Sequence, residues 1–197
     1  MTKTALQSID SIVAVDQKKS SDPAQAQYEE GKEFLKTNEL AQAALAFHNA
    51  LLAFEENDNQ NGIANASNQL GNVCLQRQEY EKAMMHYQRA WGICEKQDDP
   101  MSLNVLSAQL VLAHQGLKQF PEAVKLCLDM LDTYHSGNNP QGVVETLEKL
   151  VNVYIEAGDK AKAADTYRTI ASIHAQYKHK NIAEGFIKKA QALEEPA

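Results

Sequence analysis

Residues 80–94 read YEKAMMHYQRAWGIC, and Ala83, Tyr87, Ala90, Trp91 and Cys94 advance in steps of 4, 3, 1 and 3, which places them in one stripe along an α-helix. The stripe recurs with a period of forty residues. Ala43, Ala83, Ala123 and Ala163 form one column, and Phe47, Tyr87, Cys127 and Tyr167 form the next, four residues on. Then come Ala50, Ala90, Met130 and Ile170; Leu51, Trp91, Leu131 and Ala171; and Phe54, Cys94, Tyr134 and His174. A methyl-sized side chain in the Ala43 column suits a place where two helices cross closely, and an aromatic one turn later fills the gap.

The half-repeat before each stripe carries columns of its own: Ile63, Leu103, Val143 and Ala183; Leu70, Leu110, Leu150 and Ala190; Val73, Ala113, Val153 and Leu193. Each unit is therefore a pair of amphipathic helices, A then B. Turn signals fall near one position of the period: Gly62 after Asn57, Asp58 and Asn59; Pro100 after Asp98 and Asp99; Pro140 after Gly137, Asn138 and Asn139. The pattern predicts A helices near 24–37, 61–77, 101–117 and 141–157, B helices near 40–56, 80–97, 120–136 and 160–178, and a capping helix at 181–194 whose Lys188, Lys189, Glu194 and Glu195 suit a solvated end. The repeats then run over about 24–57, 61–97, 101–137 and 141–178. Asp22 before Pro23 makes an N-cap and first-turn pair for the first of them.

Composition agrees with an all-α chain. Nine Gly and five Pro among 197 residues leave few turn residues to build a sheet. A net charge of −7 argues against a nucleic-acid binder, since such a surface repels phosphates. The first nineteen residues, MTKTALQSIDSIVAVDQKK, break their apolar run with Gln, Ser and Asp, so they lack a secretory h-region, and no stretch approaches a membrane span. Cys74, Cys94 and Cys127 show no Cys-x-x-Cys spacing; each falls on an apolar helical face, which fits core thiols in a reducing cytoplasm.

The stretch Asn68-Gln69-Leu70-Gly71-Asn72, followed by Tyr80, Lys82, Ala83, Tyr87 and Ala90, resembles a tetratricopeptide repeat (TPR), and the first unit matches through Gly31, Phe34, Ala43, Phe47 and Ala50. The period of forty is similar to the variety seen in kinesin light chains, spindle-orientation adaptors and many bacterial regulators. The resemblance spans about residues 24–194. It implies a right-handed α-α superhelical solenoid of about four helix pairs plus a C-terminal capping helix, over 23–197, preceded by an N-terminal segment, 1–22. The third and fourth units depart from it, with Val111 and Val151 at the small-residue position and Cys127 and Met130 in the third B helix.

The resemblance also implies that A helices line a concave surface holding a peptide of a partner protein. By register the candidate peptide-binding residues are Tyr28, Lys32 and Lys36 in the first A helix; Asn65, Asn68, Gln69, Asn72 and Gln76 in the second; Gln109 and Leu112 in the third; Lys149 and Asn152 in the fourth; and Lys188 in the cap. A ladder of side-chain amides pairs with an extended backbone through both donors and acceptors. Equally, amides on a helix face are ordinarily just solvated. The Lys and Asn set that clamps a C-terminal carboxylate in chaperone-binding relatives is not reproduced, since Tyr28 stands where the clamp Lys would be.

Chemistry for an enzyme is missing from the sequence. His48, His86, His114, His135, His174 and His179 form no zinc motif, and His114 and His174 fall in core columns. There is no Gly-rich phosphate loop, Gly-x-Ser-x-Gly elbow or Ser/His/Asp grouping. The expected protein has no metal, cofactor or catalytic residue. Its expected role is a cytoplasmic adaptor or regulator that binds a peptide segment of another protein. Two alternatives stand beside it: a self-associating scaffold or secretion-type chaperone using the N-terminal arm with its Leu6, Ile9, Ile12, Val13 and Val15, and an inhibitory subunit using its convex B-helix face.

Overall fold

The computed structural model describes residues 22–195. The expected N-terminal arm lies outside the described residues, except for Asp22. Among the described residues the chain forms nine α-helices and no strand: α1 (Pro23–Lys36), α2 (Leu40–Glu56), α3 (Gln60–Gln76), α4 (Tyr80–Lys96), α5 (Pro100–Gly116), α6 (Phe120–Ser136), α7 (Pro140–Glu156), α8 (Lys160–Gln176) and α9 (Lys180–Glu194). The fold class is all-α, as the periodicity predicts. The chain divides into two compact units between Gln109 and Leu110, inside α5. In the first, α1 packs on α2 and α3, α2 on α3, and α3 on α4; in the second, α6 packs on α7, α7 on α8, and α8 on α9.

The forty-residue period has a simple origin. Helices α2 to α8 each have 17 residues and are separated by three-residue turns. The middle residue of each turn is left-handed: Asn38, Asp58, Gln78, Asp98, Lys118, Asn138, Gly158 and Lys178 all have φ between 49° and 80°. The following N–H closes the turn by donating five residues back, as in Glu39 to Phe34 O (2.8 Å), Glu79 to Cys74 O (2.9 Å) and Gln119 to His114 O (2.8 Å). This is a Schellman closure, which satisfies carbonyls that a helix end leaves unpaired. The A helices α1, α3, α5 and α7 are then capped by Asp22, Asn59, Asp99 and Asn139, whose side chains accept from the N–H of Ala24, Gly62, Ser102 and Gly142.

Close approach between helices rests on rings seated over glycine. In α1 and α2, a Cβ on Gly31 would stand 2.7 Å from the Phe47 ring; in α3 and α4, one on Gly71 would stand 2.4 Å from the Tyr87 ring. These are the same register positions, forty residues apart. A second column joins one pair to the next in two places: a Cβ on Gly62 would meet Phe54 at 2.4 Å, and one on Gly142 would meet Tyr134 at 2.6 Å. Gly62 is thus not a turn residue, as its sequence neighbours suggested, but a buried helical one whose missing side chain makes room for Phe54.

Phe47, Phe54 and Tyr28 gather in the core of the first unit with Leu51, Ile63, Leu70 and Val73. The Tyr28 ring lies 5.6 Å from Phe47 and 6.4 Å from Phe54, centroid to centroid. In the second unit, Val111, Cys127, Leu147, Leu150, Val151, Ile170 and Phe186 form the counterpart. The third pair keeps its packing by exchanging sizes: Val111 and Cys127, both fully buried, replace glycine and ring, a volume-conserving swap. Buried Cys94 and Cys127 behave as apolar residues, and burial pushes the Cys127 thiol up to about 12; Cys74 is half-buried.

Two opposite glycine substitutions test the ring seats. Gly71→Ala forces a methyl into the Tyr87 ring and is expected to destabilise by about 1–3 kcal/mol. Gly92→Ala, on the next helix with nothing within 4 Å of its new Cβ, is expected to stabilise by about 1 kcal/mol through helix propensity. Urea denaturation of both variants decides the matter, and equal effects would remove the packing argument. At the turns, Gln78→Gly relieves a left-handed strain of about 1–2 kcal/mol, less about 0.5–1 kcal/mol for the added chain entropy. A rise in Tm is the expected outcome.

Candidate functional site

The candidate residues of the first unit separate into buried and accessible sets. Asn65, Asn68 and Gln69 are each 1 % exposed, and Tyr28 is buried as well, so these four do not present a surface to a peptide. α3 packs against α1, α2 and α4, and its Gly62 and Gly71 seat the Phe54 and Tyr87 rings. Ser67 Oγ and Asn68 Oδ1 are buried acceptors without a hydrogen-bond partner among the described residues, as is Gln109 Oε1 on half-buried Gln109.

Asn72 is half-buried and occupied. Its amide donates to Gln69 Oε1 (3.1 Å), and its Oδ1 accepts from the Tyr87 hydroxyl (2.9 Å). Burial, with a smaller contribution from Cys74, pushes the Tyr87 phenol well above its ordinary value, so it stays a donor. The amide expected to read a ligand instead satisfies the one polar atom of a core ring. Gln76 is exposed. Lys32 reaches Glu29 (3.0 Å) and lies over the Tyr28 ring, while exposed Lys36 pairs with Glu33 (2.8 Å).

In the second unit, Leu112 and Lys149 are half-buried, and Asn152 and Lys188 are exposed. Lys188 borders a shallow groove between α8 and α9, with Ala183, Ile187 and Arg168. A second concavity draws on three helices. The first turns of α7, the end of α8 and the start of α9 enclose a pocket of about 490 Å³, with Val144, Ile173, Ile182 and Phe186 as its apolar wall, Glu145 and Glu148 on one side, and His174, Tyr177 and His179 on the other. That volume is in the range of ligand pockets. Tyr177 is 55 % and Ile182 48 % exposed, so the apolar lining is open to solvent.

The register explains why a pocket forms there. His174 continues the column of Phe54, Cys94 and Tyr134, but Ile182 stands where Gly62, Ser102 and Gly142 receive those side chains. With no glycine to seat it, the imidazole stacks on Phe186 instead (centroids 5.6 Å, planes 6° apart) and brings its Nδ1 to 3.4 Å from His179 Nδ1. His174 is therefore a half-buried wall of the pocket rather than the core histidine that its column predicted. Glu145 accepts from the Gln141 amide (2.8 Å). Among the described residues no lysine or arginine forms an ion pair with Glu145 or Glu148. Sequence reasoning missed the pocket because its parts come from three helices; the signal available was Ile182 in a column of small residues.

Paired A and B helices with glycine and ring seats define a TPR-like helical repeat protein. Among solved structures, the nearly identical TPR-like repeats of a Podosopora anserina protein described as a kinesin light chain match with a TM-score of 0.69 and 13% identity, over 89% of this chain and 97% of that one. The apo form of RapI matches at 0.64 and 14% identity, over 85% of this chain and 52% of its own. BtubC (BKLC) from P. vanneervenii matches at 0.63 and 17%, over 92% and 70%. Identities this low establish the fold alone. Residues 9–127 match the family model described as soluble NSF attachment protein, SNAP. The match covers more than half of the sequence, and the chain belongs to this family. No curated protein matches the sequence significantly.

The Asn72 network predicts an asymmetry. Tyr87→Phe leaves a half-buried acceptor that water can reach, at about 0.5–1.5 kcal/mol, whereas Asn72→Ala strands a buried hydroxyl at about 1–3 kcal/mol. Urea melts of the two variants and of the double variant should give a double cost smaller than the sum. Strict additivity would show that the Tyr87–Asn72 bond contributes nothing.

Proposed function

We propose that the chain is a non-catalytic adaptor that holds a peptide segment of a partner protein, with the pocket between α7, α8 and α9 as its contact site. The observation that carries this reading is the apolar concavity lined by Val144, Ile173 and exposed Ile182 over buried Phe186, with a volume of about 490 Å³. Exposed apolar surface of this kind is costly to leave in water and marks interaction sites. A helical-repeat fold is typical of interaction modules, and the family description, an attachment protein, agrees with a binding role. Among the described residues no helix is long and apolar enough to cross a membrane, and no cluster of His, Cys, Asp and Glu is placed to hold a metal ion. The buried free thiols favour a reducing, cytoplasmic setting.

Affinity capture from a native lysate tests the reading, using the intact chain and Ile182→Arg, which places a long cation at the pocket mouth on an exposed position. Circular dichroism first establishes that the variant folds. The expected outcome is a protein retained by the intact chain and lost by the variant. Retention by both would move the binding surface away from the pocket.

A further inference from the structure

The α7–α9 pocket has a chemical polarity that the adaptor reading does not use. Glu145 and Glu148 lie on one side of the pocket, and both are exposed. They lie one turn apart on α7, close enough for both to reach one cationic group. Their fields extend beyond the pocket: burial first and Glu145 second raise the Tyr134 phenol, and burial first and Glu148 second raise that of Tyr167. Among the described residues neither carboxylate is ion-paired to a lysine or arginine, and both stand beside an apolar wall, where a cation would be attracted more strongly than in open water.

The aromatic rings serve as walls. The Phe186 ring stacks in parallel on His174 at 5.6 Å, and the Lys189 ammonium lies 4.6 Å from its centroid. The ring already has a cation of the chain's own, so a cation from elsewhere is directed toward the carboxylates. Tyr177 stacks on His179 at 6.4 Å, which leaves its exposed surface to cover an aliphatic stem.

We propose that this pocket selects a peptide segment carrying an arginine or lysine next to an aliphatic residue, the cation paired with Glu145 and Glu148 and the aliphatic side chain against Val144, Ile173 and Ile182. This rests on the adaptor reading and adds the chemistry of the ligand. Arginine fits best, because a planar guanidinium can pair with a carboxylate through two parallel hydrogen bonds while its stem packs on apolar surface.

The test uses the full chain and three capped octapeptides on one frame, Ser-Gly-Leu-Xaa-Leu-Xaa-Gly-Ser, with Xaa as Arg, Gln or Glu. Affinities come from calorimetry and the contact site from amide shifts of residues 141–148 and 177–186. The expected result is binding of the arginine peptide at those amides, weakened tenfold or more by Glu145→Gln/Glu148→Gln and weakened again by added salt. Both carboxylates are exposed, so the double variant keeps its core; Glu145→Lys with the glutamate peptide gives a second measure, with binding gained where the arginine peptide loses it. Equal binding of the glutamine or glutamate peptide at the pocket would overturn the basic-ligand proposal and leave the adaptor reading intact. If none of the three peptides binds, the proposal also fails, and lysate capture with Ile182→Arg then decides the adaptor reading separately.

Discussion

Ring against bare backbone is the contact on which this structure depends. An aromatic side chain can lie flat on a neighbouring helix only where that helix offers no Cβ, and each such seat fixes how near and in what register the two helices meet. Phe47 on Gly31 and Tyr87 on Gly71 do this within helix pairs; Phe54 on Gly62 and Tyr134 on Gly142 do it between one pair and the next. A buried ring contributes about 1.5–3 kcal/mol through area removed from water. The surrounding helices close around it so tightly that added volume has nowhere to go.

Departures from the seat have consequences that can be followed residue by residue. Val111 with Cys127 exchanges the sizes of the two partners and keeps the core filled. Val151 takes the glycine position while Tyr167 keeps the ring, and Tyr167 remains half-exposed, its ring 5.9 Å from that of Phe186. Ile182 with His174 goes furthest. An exposed branched residue replaces the glycine, the imidazole stacks on Phe186, and a pocket lies beside it. The pocket thus lies where the glycine of this column is replaced, and function is most economically sought where such a rule is broken.

The amides of α3 illustrate how a helix face is misjudged. Asn65, Asn68, Gln69 and Asn72 share one face, and a row of amides suits either a peptide groove or an interior network. Which of these obtains depends on whether neighbouring helices cover the face, a property of the assembled structure rather than of α3 itself. Here the face is covered, with Asn65, Asn68 and Gln69 all buried. Asn72 accepts from the Tyr87 hydroxyl and donates to Gln69, so its amide is engaged within the fold. Lys32 and Lys36 each have a carboxylate three residues before them on the same helix and pair with it.

The sequence by itself determined the all-α class, the helix pairs and their period, because those follow from local quantities: the 3.6-residue apolar spacing, turn residues near one position of the period, and Asp or Asn ahead of the A helices. It also held the columns in which Ala43, Phe47 and their equivalents meet. Only the tertiary structure decided which polar residues are covered, that Gly62 seats a ring, and that residues of α7, α8 and α9 enclose one pocket. The physical reason is that exposure and enclosure are set by the distance between helix axes. That distance depends on pairs of side chains from different helices, which no single helical stripe contains.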